Sequence, residues 1–168
     1  MRVMGSAAGR EPHLRLRPQQ PDEERPDSSS EWDDWGGEFD PQAASDTGRL
    51  LVEVDGEVVG DVTWHSVWYG PTTGSQAWNI GIALVPEARG RGIGSRAQRM
   101  LAEYLFATTS VVRVEASTDI GNLAEQRALE KAGFVREGVL RGAQVRRDGR
   151  HDLVGYAILR TDLAHLSG

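Results

Sequence analysis

The sequence predicts an α+β domain: a central mixed, mostly antiparallel sheet with helices on both faces. Three observations predict it. Segments of alternating apolar and polar residues fill the first half of the chain, separated by turn signals at Asp55-Gly56 and Gly70-Pro71. Two stretches of helical period, after residue 92 and after residue 121, flank the β-branched run Val111 to Ala116. Two closing β-rich stretches meet at Asp148-Gly149. Strands, helix, strand, helix and hairpin in that order make a sheet with helices packed on it.

The chain of 168 residues has room for one domain, expected over 13–164, after a disordered lead at 1–12. His13 to Pro18 alternates and reads as a short edge strand ended by proline. Residues 19–48 read as an acidic, irregular segment. Between Gln19 and Asp46 there are ten acids, with Arg25 as the only base, and Pro21, Pro26 and the serines 28–30 oppose a long helix. Trp32, Trp35 and Phe39 recur at three and four residues, as on one or two helical turns. They either plug the edge of the core or form an acidic, aromatic wall that draws a cation. Arg49–Val54 and Val58–His65 read as a hairpin. Asp61, Thr63 and His65 share one face of it, with Asp61 and His65 either solvated or turned to a site.

The stretch Leu84 to Ser95 organises the rest. The apolar run Ile80 to Val85 leads in, and a helix with a stripe of Ile93, Ala97, Met100, Leu101, Tyr104 and Leu105 leads out. Gly90, Gly92 and Gly94 leave the turn bare, so a ligand can approach the backbone. The first-turn N–H groups and the helix dipole favour an anion there, and Arg89 and Arg91 add formal charge. The set suits a phosphate or pyrophosphate. It is neither a nucleotide P-loop, having no Gly-Lys-Ser/Thr, nor the dinucleotide fingerprint. Downstream, Asn122 and Glu125 stand at capping-box spacing before a helix that Gly133 stops.

Composition narrows the function. The net charge is −6 with no basic cluster, so neither nucleic acid nor a membrane surface is an expected partner. With no cysteine there are no disulfides or thiolate metal sites, and the four histidines show no ligand spacing. No apolar run approaches the roughly 18–20 residues of a membrane span, and Met1 to Pro12 lacks an apolar signal core. The expected location is the cytoplasm.

Arg-x-x-Gly-x-Gly after Ala83-Leu84-Val85-Pro86 resembles the acyl-CoA-binding motif of the GNAT N-acetyltransferase superfamily. Asn122 to Phe134 is similar to that superfamily's later helix with its Gly-Phe end, and Asp148 to Tyr156 resembles the last hairpin of the branch that acetylates ribosomal-protein N-termini. The likeness covers roughly 49–160. It implies a fourth and a fifth strand that run parallel and splay apart, with the pantetheine arm in the gap. It implies acetyl-CoA as cosubstrate, no metal, and a primary amine as acceptor, in a small molecule or peptide, with the irregular segment 19–48 on the acceptor side; a homodimer is compatible with it.

Carried over residue by residue, the likeness places the pyrophosphate on Arg89, Gly90, Arg91, Gly92, Ile93, Gly94 and Ser95. It pairs the backbone of Ile82 and Leu84 with the pantetheine, polarises the thioester oxygen near Ala83, and gives Asn122 a hydrogen bond to the cofactor. The proton-transfer positions depart from the pattern. Asn79 stands where many relatives carry a glutamate, Leu129 where many carry a tyrosine, and Glu125 where the ribosomal branch often carries a serine. Asn79 could orient a water but cannot act as a base. Asn79 and Glu125 are therefore the catalytic candidates. The implied activity is acetyl transfer to a cationic amine, such as a protein N-terminus, a polyamine or an amino-sugar. The alternatives are a non-catalytic acyl-CoA-binding module and a transferase using another acyl donor.

Overall fold

The alternation in the first half of the chain becomes a set of antiparallel strands in the computed structural model, which describes residues 10–38 and 47–166. In chain order the elements are β1 (Leu14–Arg17), β2 (Thr47–Val54), β3 (Glu57–Trp68), β4 (Gln76–Leu84), α1 (Ile93–Thr108), β5 (Arg113–Asp119), α2 (Leu123–Lys131), β6 (Val135–Arg146), β7 (Gly149–Leu159) and α3 (Arg160–Leu166). They form a sheet of order β1-β2-β3-β4-β5-β7-β6, in which β4 and β5 alone run parallel. Asp55 and Gly56 both take positive φ (51° and 89°), the backbone a tight hairpin between twisted strands requires.

One face of the sheet carries Val62, Ile80, Val114, Tyr156 and Ile158 and meets Ala97, Leu101 and Leu105 of α1 and Leu129 of α2. The opposite face, over β1–β3, carries Arg15, Arg17 and Glu53, and the irregular segment lies across it through Arg17–Glu23 and Arg25–Asp61 ion pairs. Asp61 is therefore neither solvated nor at a cleft. It is buried and bonded to Arg49 at 3.0 Å, while His65 is exposed opposite Asn79.

Three boundaries differ from the sequence expectation. The β3–β4 hairpin is longer than its alternation suggested, reaching Trp68 and resuming at Gln76. β5 starts two residues late, because the Val111 carbonyl accepts from the Arg160 side chain and the Val112 carbonyl from the Arg160 backbone N–H. Helical spacing of Trp32 and Trp35 yields only a 3-10 turn, Glu31–Asp33, capped by Ser30; Trp35 then leaves it to bridge antiparallel to Arg146. Phe39 and residues 1–9 lie outside the described residues. Of the lead, Pro12 is fixed, its carbonyl accepting from both terminal nitrogens of Arg96 at 3.2 Å.

Candidate active site

β4 and β5 stay paired for three residues, Trp78 with Val114, Asn79 with Glu115 and Ile80 with Ala116. Beyond them β4 runs on to Leu84 and β5 to Asp119 without pairing with each other, and the sheet opens into a cleft of about 760 Å³. Its floor is Ile82 to Leu84, one wall is Gly92 to Ser95 at the start of α1, and another is α2.

The floor exposes backbone. Val85 N–H bonds the Val59 carbonyl at 2.9 Å, and Ala83 pairs with Asp61. Alternation in an antiparallel ladder then directs the Ala83 amide to β3 and turns those of Ile82 and Leu84 towards the cleft. The amide of Ala83 itself is thus taken by β3, and the free donors on either side of it are the N–H groups of Ile82 and Leu84. The Leu84 carbonyl already accepts from Arg89 Nε at 2.9 Å.

Gly90 and Gly92 take φ of 70° and 76°, and a Cβ on either would meet nothing within 4 Å, so the turn faces open space. Gly92 caps α1 without a side chain. Arg96 N–H is the first helical donor to find an acceptor, leaving those before it directed at the turn. The two arginines divide. The Arg89 guanidinium also donates to the Ser29 carbonyl at 2.8 Å and the Ser28 carbonyl at 3.3 Å, so it holds the acidic segment over the cleft rather than presenting all its donors to an anion. Arg91 is exposed and makes no ion pair or hydrogen bond among the described residues, but it lies outside the cleft lining. Ile93 is a core residue at 2% exposure.

α2 forms the far wall. Asn122 caps it, its Oδ1 accepting from Glu125 N–H at 3.2 Å. The reciprocal half of a capping box is absent, because Asn122 N–H donates to the Asp119 carbonyl. The Glu125 carboxyl turns instead to the cleft and to Gln98 of α1, and burial pushes its pKa up to about 7 while Gln98 pulls it down. Arg127 and Lys131 line the same wall. Sequence reasoning missed both, although Ala124, Arg127, Ala128 and Lys131 make a small-and-basic stripe at helical spacing.

Trp32 and Trp35 line the cleft rather than the core, Trp35 at 40% exposure. Trp32 packs over Gly121 and stacks on Arg146, 5.4 Å from its ring centre. Arg146 is buried, 3.2 Å from Asp119, and its Nε and Nη2 both donate to Gln144 Oε1. Burial works against the Asp119 charge, yet the Gly121 N–H, His151 and Arg146 hold its pKa below the usual carboxylate value. His151 in turn bridges Asp148 and Asp119 at 2.7 Å each, which raises its pKa.

Asn79 does not reach the cleft. Its Nδ2 donates to Glu115 Oε1 at 3.4 Å, and Glu115 is buried with Tyr69 Oη at 2.6 Å and Arg113 Nε at 2.9 Å. Adjacent parallel strands thus put a carboxylate beside the asparagine, which no spacing in the sequence could have shown. Among the described residues, no cluster of three His, Asp or Glu side chains could hold a metal. No helix there is long and apolar enough to cross a membrane.

The model of the acetyltransferase (GNAT) domain matches residues 10–135. Two Bacillus subtilis (strain 168) proteins are similar. One, named "Probable N-acetyltransferase YjcK", is 34% identical over 55% of this chain and 49% of its own length. The other, named "Putative ribosomal N-acetyltransferase YdaF", is 27% identical over 77% of this chain and 67% of its own length. The chain thus spans about half of the first relative. Among solved structures, Mycobacterium smegmatis RimJ in complex with CoA-disulfide superposes with a TM-score of 0.64 at 26% identity, over 73% of this chain and 58% of that one. Aminoglycoside acetyltransferase AAC(6')-Ib with coenzyme A and kanamycin shares the fold, with a TM-score of 0.62 at 22% identity over 75% and 74%.

Proposed function

The chain belongs to the GNAT acetyltransferase family, and we propose that it moves an acetyl group from acetyl-CoA to a primary amine of a cationic acceptor by direct attack in a ternary complex. The cleft carries this reading: a glycine-lined helix start stands at one end of a strand edge with free backbone groups. The pyrophosphate binds at the Gly90–Ser95 turn, where open space meets unpaired N–H groups and the helix dipole. The pantetheine amides pair with Ile82 and Leu84, and the Ile82 N–H polarises the thioester carbonyl, stabilising the oxyanion that forms on attack. Arg127 and Lys131 attract the remaining phosphate, and Asn122 hydrogen-bonds the cosubstrate while it caps α2.

The acceptor enters past Trp32, Trp35, Glu31 and Asp33, which line the opposite side of the cleft. Indole faces and carboxylates favour a cation there, whether a protein N-terminus, a polyamine or an amino-sugar. A second reading, a non-catalytic acyl-CoA-binding module, is favoured by Leu129, fully buried where relatives carry an acid, and by Asn79, turned away from the cleft.

Thermal unfolding with acetyl-CoA, coenzyme A and ATP tests the cradle, and thiol release with kanamycin, spermidine and a peptide of N-terminal alanine tests the chemistry. Without a cysteine the protein adds no thiol background. A shift of a few degrees with the CoA species alone is expected, followed by thiol release with at least one amine. A shift without release supports the binding module, and no shift overturns both readings.

A further inference from the structure

The reaction needs a group to move one proton, and neither Asn79 nor Leu129 reaches the cleft with a titratable side chain. We propose that Glu125 is that group: its carboxylate takes the proton that the attacking amine gives up and returns it to the departing sulfur. This rests on the acetyl-transfer reading above.

The geometry separates Glu125 from a helix-capping residue. A capping glutamate would reach back to the Asn122 N–H, but that N–H is bonded to the Asp119 carbonyl at 2.9 Å. Glu125 lines the cleft together with Asn122 and Ala128 of its own helix, and with Ile82, Ala83 and Ser117 where β4 and β5 part. Leu129, one turn on, points into the core. The Gln98 amide nitrogen is buried on α1 without a hydrogen-bond partner among the described residues, and its side chain pulls the Glu125 pKa down.

The charges around the cleft leave Glu125 unpaired. Arg127 and Lys131 share its helix without forming an ion pair to it, and Arg89 is engaged with three carbonyls. Arg146 and Asp119 are paired with each other, and Asp33 accepts from the Ser30 N–H at the 3-10 turn. Burial is therefore the main influence on the carboxyl and holds its pKa at about 7, where one group can both accept and donate a proton near neutrality.

The step balances without a co-reactant. The neutral amine attacks the thioester carbon and a C–N bond forms. Glu125 removes one N–H proton from the adduct, the C–S bond breaks, and the same proton goes to sulfur. Amine and acetyl-CoA become amide and coenzyme A, with Glu125 ionised at the start and at the end.

The test uses Glu125→Gln, which keeps the shape and removes the titration. Acetyl transfer to hydroxylamine, kanamycin and the alanine peptide is followed across pH, with coenzyme A affinity measured separately. A loss in kcat of about 10²–10⁴-fold is expected, with affinity held within about twofold. With hydroxylamine, a weakly basic amine already neutral in this range, the wild-type kcat should rise through pH about 7 as the carboxylate forms, and the variant should lack that limb. A variant that keeps the limb, or that loses affinity and kcat together, overturns the proposal. So does a wild-type chain that binds coenzyme A and accelerates transfer to none of the three amines. Absence of coenzyme A binding is a different result and refutes the acetyl-transfer reading itself.

Discussion

Gly92 and Gly94 lie two residues apart and have opposite tasks. Gly92 sits at φ 76° with open space where a Cβ would stand. A valine there costs roughly 1–2 kcal/mol in backbone strain and fills the approach to the first-turn N–H groups. Gly92→Val is expected to lower the melting temperature by a few degrees and to abolish coenzyme A binding by calorimetry; unchanged affinity would refute the cradle. Gly94 is helical, and its Cβ would meet Leu84 Cδ1 at 3.7 Å, an ordinary contact. Gly94→Ala should therefore raise the melting temperature of the free chain, since alanine favours a helix by roughly 0.5–1 kcal/mol, while weakening coenzyme A binding from the cleft wall. Both glycines were legible in the sequence, because a bare turn before a helix has few other uses. Arg89 was only half legible. Its place in the turn followed from spacing, but its bonds to Ser28 and Ser29 join residues sixty positions apart, and no local pattern encodes that.

At the scale of elements, the segment at 28–36 is a strap anchored at both ends. Arg89 holds Ser28 and Ser29 on the β4 side, and β6 holds the other end through the Trp35–Arg146 bridge and the Arg147 N–H on the Asp34 carbonyl at 3.2 Å. The sequence marked this segment as acidic and aromatic but suggested a helical turn or two. Its tryptophans obey sheet pairing and stacking with β6, which periodicity within the segment does not reveal. The wall behind the strap is pH-sensitive. His151, raised in pKa by Asp148 and Asp119, contributes fully below its unfolded value of about 6.5, and that contribution is lost as pH rises through the folded value. The melting temperatures of the wild type and His151→Asn should therefore differ most near pH 5–6 and converge at higher pH; a gap that widens with pH would contradict the bridge. The end of α1 is tied separately. Arg160 donates to the carbonyls of Phe106, Thr109 and Val111, and Arg160→Ala is expected to cost about 2 kcal/mol, read from denaturant unfolding, with little effect on kcat.

At the scale of the molecule, the order of strands was legible as a class and not as a topology. Alternation and helical period predicted a mixed sheet, and the family likeness added the parallel pair that splays. The insertion of β7 between β5 and β6 follows from no local signal. It places the last strand, rather than its hairpin partner, against β5, with Ala116 opposite Tyr156 and Ser117 opposite Gly155. The two flanks of β5 thus come from distant parts of the chain. On one side it has three residue pairs with β4; on the other it has seven with β7. Closing such long loops is slow in folding. During synthesis, β5 has only its short seam with β4 until residues 153–159 emerge, so the diverging wall that makes the cleft gains its second support only with that strand. A nascent chain halted before residue 149 would carry every residue that lines the cleft and would still lack the strand that holds β5 on its other side.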